Sequence, residues 1–228
     1  MEILGIEKVS FVDYDDKICT TIFTGGCNFR CPFCHNSGIV EKIFKPYSED
    51  EILTYLKERT RLLDAVTISG GEPTLQKDLE EFIIKVKALG YNIKLDTNGT
   101  RPDVVKNLIE KNLIDYIAMD IKNNFEDYSK ITGIANPNIE KIKETIHYLN
   151  EKNFPFELRT TLVKGFHTKE SIEKMAKDLK GQNKLFLQKF VDNESCFSSN
   201  LEPISKAEAE EFQKILSKTI KNVNLRGY

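Results

Sequence analysis

Six times along this chain a short apolar or β-branched run gives way to a stretch with apolar residues at helical spacing, and no other pattern restricts the fold as much. The strand-like runs are Ile18 to Phe23, Ala65 to Ser69, Tyr91 to Asp96, Tyr116 to Asp120, Phe156 to Val163 and Leu185 to Phe190. The stripes between them include Leu79, Phe82, Ile83 and Val86, then Ile139, Ile142, Ile146 and Leu149. Ser48 with Glu51, and Ser205 with Glu208, read as capping boxes, and Thr168 caps a further helix. Strand-helix alternation predicts an α/β fold, a sheet of parallel strands with crossover helices. At 228 residues one domain spanning 1–228 is expected.

Parallel α/β folds bind their ligands at the carboxyl ends of the strands. Here those ends are polar. The first strand runs into CNFRCPFCHN, Cys27 to Asn36, with cysteines at spacing C-x3-C-x2-C. Three thiolates so close together suit zinc, copper(I) or an iron-sulfur cluster. Zinc would need a fourth ligand, from Cys19, Cys196 or His35, whereas a cubane on three cysteines keeps one iron open to a small molecule. CPFCH also fits the haem attachment pattern, which leaves Cys27 without a task.

The second strand ends in Gly70-Gly71-Glu72, the third in Asp96-Thr97-Asn98, and the fourth in Asp120 with Lys122 just beyond; Arg159 lies within the fifth. Two residues without Cβ let a ligand approach the backbone, and the carboxylate after them can hold an ammonium group. The bland reading is a turn into a helix with an acidic first turn. Asp96 and Asp120 could hold a cation or ribose hydroxyls between them, or serve as helix N-caps. His147 and His167 read as surface or capping histidines, and Cys19 and Cys196 as a buried and a loop thiol.

The cysteine spacing, with Phe33 before the last cysteine, resembles the signature of the radical S-adenosylmethionine enzymes. GCNFRCPFCHN is similar to the loop of the glycyl-radical-enzyme activating enzymes, most closely the anaerobic ribonucleoside-triphosphate reductase activating proteins. The resemblance implies an open partial (βα)6 barrel of parallel strands. It implies one 4Fe-4S cluster on Cys27, Cys31 and Cys34, with S-adenosyl-L-methionine on the open iron. Gly70, Gly71 and Glu72 then match the contact to the methionine amino group, Lys122 and Arg159 the carboxylate side, and Phe33 the adenine, with Gln188 and Phe190 on the cofactor wall. Asp96, Thr97 and Asp120 match ligands of a monovalent cation. Val12-Asp13 matches part of a V-D-G-P-G segment that meets the substrate peptide, although Tyr14-Asp15-Asp16 stands here in place of Gly-Pro-Gly.

The activity so implied is reductive cleavage of S-adenosylmethionine to a 5'-deoxyadenosyl radical. That radical takes a hydrogen atom from a glycine of a partner, an anaerobic ribonucleotide reductase, with the electron supplied by flavodoxin or ferredoxin. A radical enzyme acting on a small molecule or peptide is the alternative. A zinc- or haem-binding module without catalysis is another, and it leaves the polar strand ends idle. A net charge of -2 offers no broad basic field for nucleic acid. MEILGIEKVS has no signal-peptide character and no run approaches a membrane span, so a cytoplasmic protein is expected, in a reducing compartment that suits thiolate ligation.

Overall fold

Capping chemistry sets where three of the helices begin. In the computed structural model, which describes residues 1–192 and 195–228, Ser48 accepts from the Glu51 N–H while the Glu51 carboxylate accepts from the Ser48 N–H. Thr168 and Ser171 bond reciprocally in the same way, and Ser205 accepts from Glu208.

Along the chain come β1 (Ile3–Ser10), β2 (Cys19–Thr24), α1 (Ser37–Val40), α2 (Glu49–Lys57) and β3 (Ala65–Gly70). A single 3-10 turn, Pro73–Leu75, precedes α3 (Leu79–Ala88), β4 (Asn92–Thr97), α4 (Pro102–Glu110) and β5 (Tyr116–Asp120). Then follow α5 (Tyr128–Thr132), α6 (Ile139–Glu151), β6 (Phe156–Leu162), α7 (Lys169–Asp178), β7 (Lys184–Lys189), α8 (Lys206–Leu216) and β8 (Asn222–Arg226).

The chain forms two compact units. The first comprises Met1–Asn28, Asn36–Ala118 and Glu140–Pro155. In it β1 lies antiparallel on β2, and β2, β3 and β4 run parallel in that order. Thr24 pairs with Gly70, so the cysteine loop leaves β2 level with the Gly-Gly-Glu segment. Ile22, Val66, Ile68, Ile93 and Leu95 of the strands and Leu56, Phe82, Ile83 and Val86 of the helices are fully buried. Each such side chain stabilises the fold by about 1.5–3 kcal/mol.

The second unit comprises Phe29–His35, Met119–Ile139 and Phe156–Tyr228. Its strands β6, β7 and β8 are parallel, with Gln188 level with Thr161 on one side and Arg226 on the other. Leu158, Leu162, Leu185 and Leu187 are buried with Ile172 and Met175 of α7.

All six expected strands form, most with ends shifted by one residue. Two more, β1 and β8, were not expected. Both flank a single partner strand, and both carry exposed polar residues that mask the strand signal: Glu7 and Lys8 in β1, Asn222 and Asn224 in β8. Among the described residues no helix is long and apolar enough to cross a membrane.

Candidate functional site

In the first unit the glycines are required by the chain's own backbone. The Gly71 N–H donates to the Thr24 carbonyl at 2.9 Å, and the Glu72 N–H to the Gly26 carbonyl at 2.9 Å. This draws the strand end onto the entry to the cysteine loop so tightly that a Cβ on Gly71 would stand 1.9 Å from the Gly26 oxygen. Gly70 has φ +112°, and its Cβ would stand 2.4 Å from the Thr24 nitrogen. What lies where the missing Cβ atoms would stand is main chain. At the far end of the loop, Asn36 Nδ2 donates to the Gly70 carbonyl at 3.2 Å. The cysteine segment therefore leaves from and returns to one strand end.

Glu72 also differs from a carboxylate open to an ammonium group. It is 1% exposed, and Oε1 accepts from the Thr74 N–H at 3.1 Å, the Thr74 hydroxyl and the Thr97 hydroxyl at 2.8 Å. Oε2 accepts from the Asn98 N–H at 2.6 Å. Burial pushes its pKa up, and these hydrogen bonds oppose the shift. Asn98 in turn donates to Asn28 at 2.8 Å, and Asn28 donates to the Thr100 hydroxyl at 2.8 Å. Asn28 adjoins Cys27, so the network that begins at Glu72 ends at the first cysteine.

Asp96 Oδ2 accepts from the Ser69 hydroxyl at 3.0 Å, and Oδ1 lies 3.5 Å from the ammonium of Lys94. Lys94 also donates to the Asp13 carbonyl, and the Asp13 carboxylate accepts from the Thr21 hydroxyl at 2.6 Å. Cys19 is fully buried and accepts from the Thr67 hydroxyl at 3.6 Å, a structural thiol.

The second unit carries the other part of the expected site. The Cys34 N–H donates to the Cys31 carbonyl at 3.0 Å, which closes a turn with both thiols on it. Burial pushes the Cys31 thiol up to about 11, with the Lys122 ammonium opposing that shift. Lys122 Nζ lies 3.1 Å from Asp120 Oδ2, and Arg159 Nε 3.0 Å from Oδ1. Burial works against the Asp120 charge, yet Arg159 and Lys122 hold its carboxyl down at about 2.

The backbone of Lys122 is held on both sides: its N–H donates to the Tyr128 hydroxyl at 3.2 Å, and its carbonyl lies 2.9 Å from His167 Nε2. His167 Nδ1 accepts from the Val163 N–H at 3.0 Å, so these partners assign the neutral ring with its proton on Nε2. Burial pushes its pKa down. The sequence reading of His167 as a surface or capping residue is thereby corrected, because the ring spans two backbone groups that only the folded chain brings together.

Phe33 packs in an aromatic cluster, 5.9 Å from the Phe166 ring and 6.5 Å from Phe190, and the exposed His35 stacks on Phe190 at 5.2 Å. Gln188 is half-buried on β7. Asn28, Asn36, Asn98, Lys94 and His167 escaped sequence reasoning as site residues. The one usable signal was position, since three of the five lie inside or just past motifs already singled out.

None of the five cysteines takes part in a disulfide. Among the described residues no group of three or more His, Cys, Asp or Glu side chains is assembled as a metal site, so the turn pairs Cys31 and Cys34 without completing a ligand set. Three thiols outside disulfides on one short loop fit, by their chemistry, the soft-donor demand of an iron-sulfur cluster.

The pattern of the Radical SAM superfamily matches residues 21–179, and this chain belongs to that superfamily, whose members imply a 4Fe-4S cluster and S-adenosylmethionine. It is a radical SAM enzyme with the α/β fold of that family, as its sequence led one to expect. Among particular relatives, a Methanocaldococcus jannaschii protein provisionally named a glycyl-radical enzyme activating enzyme is 36% identical over 228 residues, covering 97% of this chain and 94% of its own. The pyruvate formate-lyase-activating enzyme of Listeria monocytogenes is 33% identical over 183 residues, 71% of this chain and 70% of that one. A solved radical SAM methyltransferase from Sphaerobacter thermophilus superposes with a TM-score of 0.71 at 17% identity, over 96% of this chain and 69% of its own, a likeness of fold alone.

Proposed function

We propose that this protein is a glycyl-radical-enzyme activating enzyme acting on an anaerobic ribonucleoside-triphosphate reductase. The observation that carries the activating-enzyme reading is the likeness, over nearly the whole of both chains, to the methanogen protein provisionally named a glycyl-radical enzyme activating enzyme, while the reductase as partner rests on the resemblance of the GCNFRCPFCHN loop. Cys27, Cys31 and Cys34 would hold the cluster. When bound, the cluster and S-adenosylmethionine supply the one-electron cleavage that yields methionine and a 5'-deoxyadenosyl radical, which takes a hydrogen atom from a glycine Cα.

The chain's own residues bind and position. Lys122 and Arg159, oriented by Asp120, present cationic groups suited to the methionine carboxylate. Glu72 orders the backbone at residues 74 and 98 rather than reaching a ligand itself. Phe33 and Gln188 contribute to the adenine side. Phe11 and Val12, 73% and 77% exposed beside the anchored Asp13, offer an apolar edge for the peptide that bears the target glycine. Flavodoxin or ferredoxin would deliver the electron.

The experiment is anaerobic reconstitution with iron and sulfide, then reduction by dithionite with and without S-adenosylmethionine, reading the EPR spectrum and assaying 5'-deoxyadenosine. A cubane signal altered by S-adenosylmethionine, 5'-deoxyadenosine lost in Cys31→Ala, and a glycyl radical on added reductase are expected. 5'-Deoxyadenosine without a glycyl radical would move the substrate to a small molecule or peptide, and stoichiometric zinc without cleavage would overturn the assignment.

A further inference from the structure

A buried lysine stands where likeness to the activating enzymes leads one to expect a metal cation. Lys94 is 3% exposed, and its ammonium lies 3.5 Å from Asp96 Oδ1, donates to the main-chain carbonyl of Asp13 and sits 6.0 Å from the centre of the Tyr14 ring. The other oxygen of Asp96 is engaged by Ser69 at 3.0 Å. A buried ammonium is costly unless it is paired and hydrogen-bonded, and here it has a carboxylate, a carbonyl and a ring face. In the second unit Asp120 is met by Lys122 and Arg159. Each strand-end aspartate is thus balanced by cations of the chain itself, and a metal ion added at either would face like charge. These residues do not fit a monovalent metal cation.

We propose that Lys94 is a positioning residue whose ammonium takes the place of a monovalent cation at Asp96 and ties that strand end to the Asp13 turn. A tethered ammonium resembles a potassium ion in size and charge, but it cannot dissociate and cannot be exchanged by changing the salt. It also joins two parts of the site: the turn expected to meet the substrate peptide and the end of β4, whose next residue, Thr97, holds Glu72. Both would move if the ammonium were removed. The inference rests on the proposed function only where turnover is measured.

The test compares sodium, potassium, ammonium and tetramethylammonium chlorides at equal ionic strength. For the unaltered protein the melting temperature and the rate of 5'-deoxyadenosine formation are expected to be the same in all four, with no saturable broadening of the sodium NMR line. Lys94→Ala leaves room for a small cation: it should lose about tenfold in rate in tetramethylammonium and recover most of it, with its melting temperature, in the three small cations. Lys94→Met fills the space without charge and should not recover.

Saturable sodium binding by the unaltered protein that Asp96→Asn abolishes would overturn the proposal, as would a Lys94→Ala protein that behaves like the parent in every salt. If Lys94→Ala does not fold, the sodium line width of the unaltered protein decides alone. If no 5'-deoxyadenosine forms in any salt the functional reading fails, while line width and melting still decide the role of Lys94.

Discussion

Glu72 and Asp120, both at the polar strand ends but in different units, are satisfied in opposite ways. Glu72 is fully buried among neutral donors from Thr74, Thr97 and Asn98, while Asp120 is partly exposed between an ammonium and a guanidinium. Neutral donors are directional, so they fix the backbone that carries them. Charges are less directional, but they dominate ionisation: Asp120 is held down at about 2, whereas burial raises Glu72. One carboxylate therefore organises loops, and the other presents an ionic surface to whatever binds.

The largest effect should come from Glu72. Glu72→Ala leaves four buried donors without an acceptor and should cost about 4 kcal/mol in urea unfolding, and Glu72→Gln, which keeps one oxygen, about 2. A loss below about 1 kcal/mol in the alanine variant would break the contrast. Asp120→Asn strands two partly exposed cations and should cost about 2 kcal/mol, less than a deeply buried pair. That loss should shrink in high salt while the Glu72 loss does not, because only the former is Coulombic and near solvent.

The smallest effects lie in pH. Asp120 has a depressed pKa, so its stabilisation is complete above 3.8 and is lost as pH falls towards about 2. Glu72 is raised above 4.5, so its contribution has the other sign, present below 4.5 and lost as pH rises through the folded value. His167, depressed from 6.5, contributes fully above 6.5, and stability should decline by up to about 1.4 kcal/mol per pH unit below it. Denaturant midpoints across pH, with Asp120→Asn and His167→Gln each flattening its own window, would separate the three.

What was legible in the sequence was local. The six strands follow from apolar runs bounded by turn residues, and the Ser48–Glu51 box marks α2 because its partners lie three residues apart, whereas at α8 only the Ser205 half of the expected box forms. The polar strand ends announced a site because the direction of a parallel strand decides which end is open to ligand. What escaped depends on distant partners. Lys94 reads as an ordinary charge in a strand until Asp13, 81 residues away, brings its carbonyl to the ammonium. His167 finds Lys122 across 45 residues, and no periodicity reports that. The two glycines were noticed, but their neighbour, the Gly26 carbonyl, could not be read from a motif that names only residues 70 to 72.

The two tethers of the cysteine segment, at Gly26 and at Asn36, make it a closed ring rather than a flap. Closing such a ring carries an entropy cost that grows only slowly with its circumference. Folding meets that cost at Gly70 and Glu72, before any inorganic atom arrives. The ends of the segment are thus held together by main-chain and amide hydrogen bonds that involve none of the three thiols.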